Sequence, residues 1–304
     1  MSNILYINNY PSKNLPHPIP YQGSKRRLAP FIAEYLPDKI ETFYEPFSGS
    51  AAMTIYAAHH SAASKFVIAD SLAPMVDLLR TIVEHPKQIA NRYQDLWLGQ
   101  KEGDFDYFNR IRERYNNERD HVDLLYLICR CVKNSIRFNR SECFTQSVDK
   151  RRLGMRPDKM RSAIFGVSTI LRGRTDFRTG DWIETTKDAS SKDFIYMDPP
   201  YLGTSVGPDR RYHQQITQSE LVDGLEKLRW REIPFALSYD GTTGGREYGP
   251  PLPESLGLAR LLINAGRSTQ STLNGCKEET VESLYLTPGL IGPVVEEPIQ
   301  ISPL

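Results

Sequence analysis

The chain has 304 residues, 39% hydrophobic and 25% charged, which leaves room for one large α/β domain with a smaller one inserted. No run approaches the ~20 consecutive apolar residues of a membrane-spanning helix, and Met1 to Pro20 lacks the basic start and apolar stretch of a secretory leader. The formal net charge of +1 hides a segregation: residues 130–178 hold 13 Lys and Arg against 4 Asp and Glu, a local +9 that leaves −8 elsewhere and favours a polyanionic partner over a merely solvated face.

Taken in order, Met1 to Pro18 is polar and proline-punctuated and reads as an arm laid over the domain. Tyr21-Gln22-Gly23-Ser24-Lys25 follows, then the amphipathic Leu28, Phe31, Ile32 and Tyr35 of a helix ending near Pro37. Glycine and serine ahead of a helix offer backbone N–H groups to an anion, with Lys25 beside them; the same pair also serves as an ordinary helix cap. Ile40 to Tyr44 reads as a strand. Glu45-Pro46-Phe47-Ser48-Gly49-Ser50 is its glycine-bearing turn into a helix through His59, a nucleotide-type loop without the full dinucleotide or phosphate-loop signature. Lys65 to Asp70 is a second strand ending in an acid about twenty residues after the loop, where a carboxylate can accept both hydroxyls of a ribose or cap the next helix. Loop and acid together favour an adenosine-containing cofactor.

Asp77 to Tyr126 has a helical pattern, and Asp120 opens an apolar helix running toward Val132. The basic stretch Asn134-Ser135-Ile136-Arg137-Phe138-Asn139-Arg140 comes next, then Cys143-Phe144-Thr145-Gln146-Ser147 and Lys150-Arg151-Arg152. Arg, Asn and Gln pair with guanine and adenine edges, and Phe can wedge between bases. Met155 to Leu171 is helical again. Four cysteines (Cys129, Cys131, Cys143, Cys276) share no metal-ligand or disulfide-framework spacing, which implies reduced thiols, a cytoplasmic setting and no metal.

Strands resume with Phe177 to Trp182, carrying Asp181 and Trp182 at the strand end, and Phe194 to Met197. Asp198-Pro199-Pro200-Tyr201 must then leave the sheet at once, because two prolines donate no N–H and fix φ. A stiff turn at the carboxyl end of a strand is where open α/β sheets place their chemistry. It would hold a carboxylate, carbonyl acceptors and an aromatic ring together, a set suited to a flat, amino-bearing substrate. Beyond it the pattern gives a helix over Glu220 to Trp230, a strand over Phe235 to Tyr239, a mobile glycine-rich loop over Gly241 to Pro253, a helix over Leu256 to Ala265, and a hairpin of Arg267 to Leu273 with Thr280 to Leu286.

These pieces, over Ile19 to Pro288, resemble the alpha group of N6-adenine DNA methyltransferases, the Dam-like family. Tyr21-Gln22-Gly23-Ser24-Lys25 is similar to its amino-terminal cofactor motif, Phe43 to Ser50 to its glycine loop, Asp70 to its ribose acid and Asp198-Pro199-Pro200-Tyr201 to its catalytic tetrapeptide. The resemblance implies a Rossmann-like S-adenosylmethionine-dependent sheet, formed by residues 1–74 and 175–304, with an inserted, mainly helical target-recognition domain at 75–174. It implies catalytic roles for Asp198, Pro199 and Tyr201. Cofactor contacts fall to Tyr21, Gly23, Lys25, Glu45, Pro46, Phe47, Gly49, Asp70, Asp181, Trp182 and Asp198, and DNA contacts to Arg137, Asn139, Arg140, Lys150, Arg151 and Arg152. The implied partners are S-adenosylmethionine, double-stranded DNA and, for a restriction-modification system, an endonuclease acting on the same site. Neither a membrane nor a metal is implied. Rival readings are transfer to cytosine N4 or RNA adenine, or an inactive DNA-binding module. After Phe144 the family continues Asn-Val-Pro-Phe/Tyr-Gly where this chain has Thr145-Gln146-Ser147-Val148-Asp149, so a GATC target is not implied.

Overall fold

The computed structural model describes residues 4–6, 15–101, 104–139, 141–200, 216–243, 246–267 and 279–291. The strands are β1 (Ile4–Tyr6), β2 (Ile40–Glu45), β3 (Ala63–Asp70), β4 (Thr175–Thr179), β5 (Phe194–Met197), β6 (Phe235–Thr243), β7 (Arg246–Tyr248), β8 (Ala259–Arg267) and β9 (Glu279–Leu286). They form one sheet in the order β1-β8-β9-β6-β5-β2-β3-β4, with β7 on β6. The stretch β6-β5-β2-β3-β4 is parallel throughout, and β9 is inserted antiparallel between β6 and β8.

Alternation along the strands builds two cores. Phe43, Phe66, Ile68, Phe194, Tyr196 and Ala236 point to one face, while Tyr44, Val67, Ala69, Ile195, Met197 and Leu237 point to the other. This period of two, with both faces apolar, is what a parallel sheet covered by helices on both sides requires. The first face carries α1 (Ala29–Ile32), α2 (Ala52–His59), α3 (Ala73–Glu84), α4 (Pro86–Gly99), α5 (Phe105–Glu118), α6 (His121–Arg130) and α7 (Pro157–Leu171). The second carries α8 (Trp182–Thr185) and α9 (Gln218–Trp230). The expected doubly wound α/β architecture is therefore present.

Helices α3 to α7 pack on one another, with α3 also against β3 and β4 and α7 against α2. Their apolar residues share one continuous core with the first face of the sheet. Helix α6 runs through the middle and is buried from Val122 to Arg130. Asp120 caps it, accepting from the Val122 and Asp123 backbone N–H groups at 2.9 and 3.1 Å. The wholly buried Asp123 is held by a two-pronged Arg114 guanidinium, both contacts at 2.6 Å.

Four expectations need correction. Leu256 to Ala265 is not a helix: Gly257, at φ +61°, ends a single turn at Glu254–Leu256, and Ala259–Arg267 runs as β8 between β1 and β9. Pairing with two neighbouring strands overrides a locally helical pattern. The closing hairpin accordingly begins at Ala259, and residues 268–278 lie outside the described residues. Gly241 to Thr243 belong to β6 and pair with β7, so this part of the glycine-rich stretch is ordered sheet. Strand β4 stops at Thr179, and Asp181 caps α8 instead of ending a strand. At the amino terminus, residues 4–6 join the sheet edge on β8.

The seam between the two halves is aromatic: the Phe43 ring lies 5.7 Å from Phe194 and 6.3 Å from Phe66, and all three are buried. Phe194→Ala should cost about 3–5 kcal/mol in urea unfolding, because the ring is wholly buried among apolar side chains and leaves a void they cannot fully close. A loss below about 1 kcal/mol would show that the sheet is not packed through this residue.

Candidate active site

The strand order reverses its direction of growth between β5 and β2, which are hydrogen-bonded neighbours with Phe43 opposite Phe194 and Tyr44 opposite Ile195. Their carboxyl ends therefore open side by side, the position at which open parallel sheets bind ligands. From β2 emerges Pro46-Phe47-Ser48-Gly49; from β5 emerges Asp198-Pro199-Pro200.

The first loop is shaped by two carboxylates. Glu45 is buried and faces the first turn of α2. Its Oε1 accepts from Met53 N at 3.3 Å, and its Oε2 accepts from Thr54 N at 2.8 Å and Thr54 Oγ1 at 2.5 Å. Burial pushes its carboxyl up to about 7, against the hydrogen bonds that favour the ionised form. Glu45 thus anchors the loop from beneath. Asp70, at the end of β3, accepts from Gly49 N at 2.9 Å and Leu72 N at 3.0 Å. Burial raises its carboxyl and these backbone donors oppose the rise. Gly49 sits at φ +48°, and a Cβ there would come within 3.1 Å of the Tyr21 ring, so the loop folds against Tyr21 only with glycine. Pro46 is buried, Phe47 half-buried, and Gly23, at φ +86°, turns the preceding segment so that Ser24 Oγ meets Ser50 Oγ at 3.2 Å.

Lys25 ties the second of these loops to β9. Its Nζ lies 2.9 Å from Asp198 Oδ1 and 3.1 Å from Oε2 of Glu282 on β9, and its side chain is only 9% exposed. Loss of solvent raises the Asp198 carboxyl to about 6; Lys25 opposes the rise and Glu282 adds to it. Glu282 was missed in the sequence, where it is one acid in a carboxyl-terminal strand that β9 brings inward. Pro199 is buried beside Asp198, whereas Tyr201 lies outside the described residues.

Beyond Asp70 a cleft of about 240 Å³ is lined by Ser71, Leu72, Ala73, Pro74, Gly180, Asp181, Phe138 and Glu142. Asp181 reaches it while capping α8 through Ile183 N at 2.8 Å. Trp182 does not line it. That ring is buried under Phe47, at 6.1 Å, and against α9, where a Cβ on Gly224 would meet it at 2.3 Å. The arrangement fits an adenosine-bearing cofactor: a cleft with apolar walls from Leu72, Pro74 and Phe138 and two acids, Asp181 and Glu142, a glycine cradle, and a buried Ser48 Oγ with no hydrogen-bond partner among the described residues.

The basic segment folds as a short hairpin whose cations largely brace it. Arg137 O accepts from Thr145 N, and Phe138 pairs with Phe144, its ring 5.8 Å away. The Asn139 side chain accepts from Ser141 N and Cys143 N, both at 2.9 Å, and so closes the turn. Arg151 and Arg152 both meet Asp149, and Arg152 also donates to Cys131 O and Asn134 Oδ1. These bonds, led by Arg151, hold the Asp149 carboxyl down at about 2. Arg112, Arg119 and Arg130 donate to the carbonyls of Gln146, Glu142 and Asp149. Lys150 and Arg151 are exposed, Arg137 is half-buried, and Arg140 lies outside the described residues. The buried thiols of Cys129 and Cys131 are both pushed up to about 12 by burial, and Cys276 is outside the described residues. Among the described residues no cluster could hold a metal ion, and no helix is long and apolar enough to cross a membrane.

A glycine loop and an Asp-Pro-Pro turn at adjacent strand ends of such a sheet define a Rossmann-like methyltransferase site. The chain belongs to the D12 class N6 adenine-specific DNA methyltransferase family, which matches residues 21–251. It is 26% identical over 234 residues to the type II methyltransferase M.FokI of Planomicrobium okeanokoites, across 73% of this chain and 35% of that protein. It is 27% identical over 238 residues to the modification methylase StsI of Streptococcus sanguinis, across 74% and 35%. It is 25% identical over 197 residues to the type II methyltransferase M1.LlaDCHI of Lactococcus lactis subsp. cremoris, across 61% and 65%. The chain thus spans about a third of the first two relatives. Family membership implies chemistry dependent on S-adenosylmethionine and a DNA substrate.

Glu45 provides a test of the loop's construction. A carboxyl at about 7 in the fold and 4.5 when free binds its proton more tightly in the native state. Its contribution to stability is therefore complete below pH 4.5 and lost as pH rises through about 7, a total of about 3 kcal/mol. Urea unfolding of the wild type at pH 5 and pH 8 should show this loss, and Glu45→Gln should lack it. Equal pH dependence in both proteins would mean that Glu45 is not desolvated as described.

Proposed function

We propose that this chain transfers a methyl group from S-adenosylmethionine to N6 of an adenine flipped out of double-stranded DNA, as the modification enzyme of a restriction-modification system or as a solitary Dam-like methylase. The observation that carries the reading is the Asp198-Pro199-Pro200 turn fixed by Lys25 beside the Gly49 loop. In a restriction-modification system an endonuclease acting on the same site would be its functional partner.

The N6 lone pair of adenine is delocalised into the ring and is a poor nucleophile. The Asp198 carboxylate and the Pro199 carbonyl accept the two N6–H bonds, draw the amine toward tetrahedral geometry and localise the lone pair. With its carboxyl at about 6, Asp198 is an acceptor at neutral pH. The base must leave the duplex to reach this turn, and the stacking face is assigned to Tyr201. S-adenosylmethionine, when bound, supplies an electrophilic sulfonium methyl. Tyr21, Gly23, Pro46, Phe47 and Gly49 shape its seat, Lys25 and Asp70 fix its polar ends, Asp181 stands at the adenine rim, and Glu45 and Trp182 support from beneath. The reaction is accelerated by position and electrostatics.

We assign DNA binding to the helical part, residues 75–174, with the hairpin at 137–145 entering the duplex. Arg137 and Arg140 are its base-reading candidates, and Lys150 and Arg151 its phosphate contacts. Asn139 and Arg152 hold the hairpin in shape, given the backbone bonds their side chains make.

Incubation with labelled cofactor and mixed DNA and RNA, followed by digestion to nucleosides, tests the reading. Label should appear in N6-methyldeoxyadenosine, and Asp198→Ala should lower turnover by about 10²–10⁴-fold. Label in cytosine, in RNA alone or nowhere sinks it. Lys150→Ala should weaken binding to all DNA alike and reduce the slope of log K against log salt by about one. An unchanged slope would remove Lys150 from the phosphate contacts.

A further inference from the structure

We infer that Glu282 is a positioning residue of the methyl-transfer site: it shares the Lys25 ammonium with Asp198, so that the Asp198 carboxylate remains a strong acceptor for the target amine. The inference rests on the amine-methylation reading above. The ammonium lies 2.9 Å from Asp198 Oδ1 and 3.1 Å from Glu282 Oε2, with the Glu282 side chain 17% exposed and that of Asp198 22%. Two carboxylates on one cation leave a net negative site with little water. Paired with Lys25 alone, Asp198 would be neutralised by its partner and would attract an N–H bond less. A competing carboxylate draws the cation part-way off and restores that attraction. The charged groups facing Asp198 are Lys25 from the turn before α1, Glu282 from β9 and Glu45 from β2. Among the described residues, only Lys25 of these favours the ionised form.

The fold sets Glu282 in place rather than leaving it on a loose edge. It shares a face of β9 with Leu284 and Leu286, which enter the same core as α1 and α2 beside Lys25. A register shift between Ser238 and Gly241 brings Glu282 opposite Gly241, and a Cβ on Gly241 would approach Val281 O to 2.5 Å, so β9 lies this close only because a glycine faces it. On the opposite face of β9, buried Asp240 accepts from Tyr285 OH at 2.6 Å and Arg260 Nη2 at 3.0 Å, and Arg260 Nε donates to Ser283 Oγ at 3.1 Å. This clasp fixes β6, β8 and β9 together. Glu282 also lies beyond residues 21–251, so the family match does not carry it.

The test follows the Asp198 carboxyl by carbon-13 NMR in the ligand-free protein, and kcat and KM for DNA against pH. The wild-type midpoint is expected at about 6. In Glu282→Gln it should fall by roughly one pH unit, because a like charge has been removed. At pH 8 kcat should fall about tenfold, with KM changed less than about twofold. The acid limb of kcat should move down with the midpoint, so that the variant loses least at low pH, a signature that mere loosening of β9 would not give. Glu282→Asp, which keeps the charge, should hold the midpoint and recover most of kcat. If Glu282→Gln does not fold, Glu282→Ser, which also removes the charge, is read in the same way on the Asp198 carboxyl. An unmoved Asp198 midpoint and acid limb in the charge-removed variant overturn the inference. A wild type that methylates no adenine would sink the activity instead, while the ligand-free titration would still report on Glu282.

Discussion

The structure depends on one adjacency, that of β2 and β5. Phe43 against Phe194 fixes these parallel strands in register, and the glycine loop and the Asp-Pro-Pro turn leave from their carboxyl ends. Because β3 and β4 extend the sheet on one side and β6 and β9 on the other, the loop after β2 and the turn after β5 face the same crevice. Lys25 then ties Asp198, on one wall of it, to Glu282 on β9. A buried ammonium with carboxylates from β5 and β9 is costly to assemble in pieces, since any one charge left alone would be desolvated without a partner. The three elements are thus specified jointly, and a shift of any of them is felt at Asp198.

Acids elsewhere in the molecule serve mainly to order backbone. Glu45 receives the first turn of α2, Asp70 the glycine loop, Asp120 the start of α6, and Asp181 the start of α8. Asp193 accepts from Thr42 N at 2.9 Å and from Ser190 N at 2.8 Å, which ties the entry of β5 to β2. Each carboxylate satisfies amide donors that a helix start or a tight loop leaves without partners. At Asp70 this leaves capacity over, because an ionised carboxylate has about four acceptor positions and the amides of Gly49, Leu72 and Ser71 use only part of it. The same side chain can therefore shape the loop and still accept a further donor from the cleft side.

How far the sequence could be read depended on the range of the interaction. The doubly wound sheet, the glycine loop and the Asp-Pro-Pro turn were legible because alternation of apolar residues, prolines and glycines are local signals. Ala259 to Arg267 misled because its composition permits a helix and only its neighbours β1 and β9 make it a strand. Trp182 sits next to Asp181 in sequence, yet the short α8 turns one toward the cleft and the other into the core against Gly224. Glu282 could not be found at all from the sequence, because nothing local ties it to Lys25 some 250 residues earlier; only the antiparallel insertion of β9 does so.

The basic segment shows the same limit in electrostatic form. Its +9 balance reads as a surface offered to a polyanion, yet Arg130, Arg152 and Arg174 donate to backbone carbonyls and Arg178 meets Asp176 and Asp188. Arg130 and Arg174 still contribute to the long-range field, since a carbonyl neutralises no charge, whereas Arg152 and Arg178 are offset by Asp149, Asp176 and Asp188; all four are held in place by these bonds. What they brace is the hairpin carrying Phe138, whose far side, with Glu142, forms a wall of the cleft beyond Asp70. One braced loop thus borders the cleft beyond Asp70 on one side and the basic surface on the other. Charge counting finds the surface, but the division between braces and contacts emerges only when the carbonyls are located.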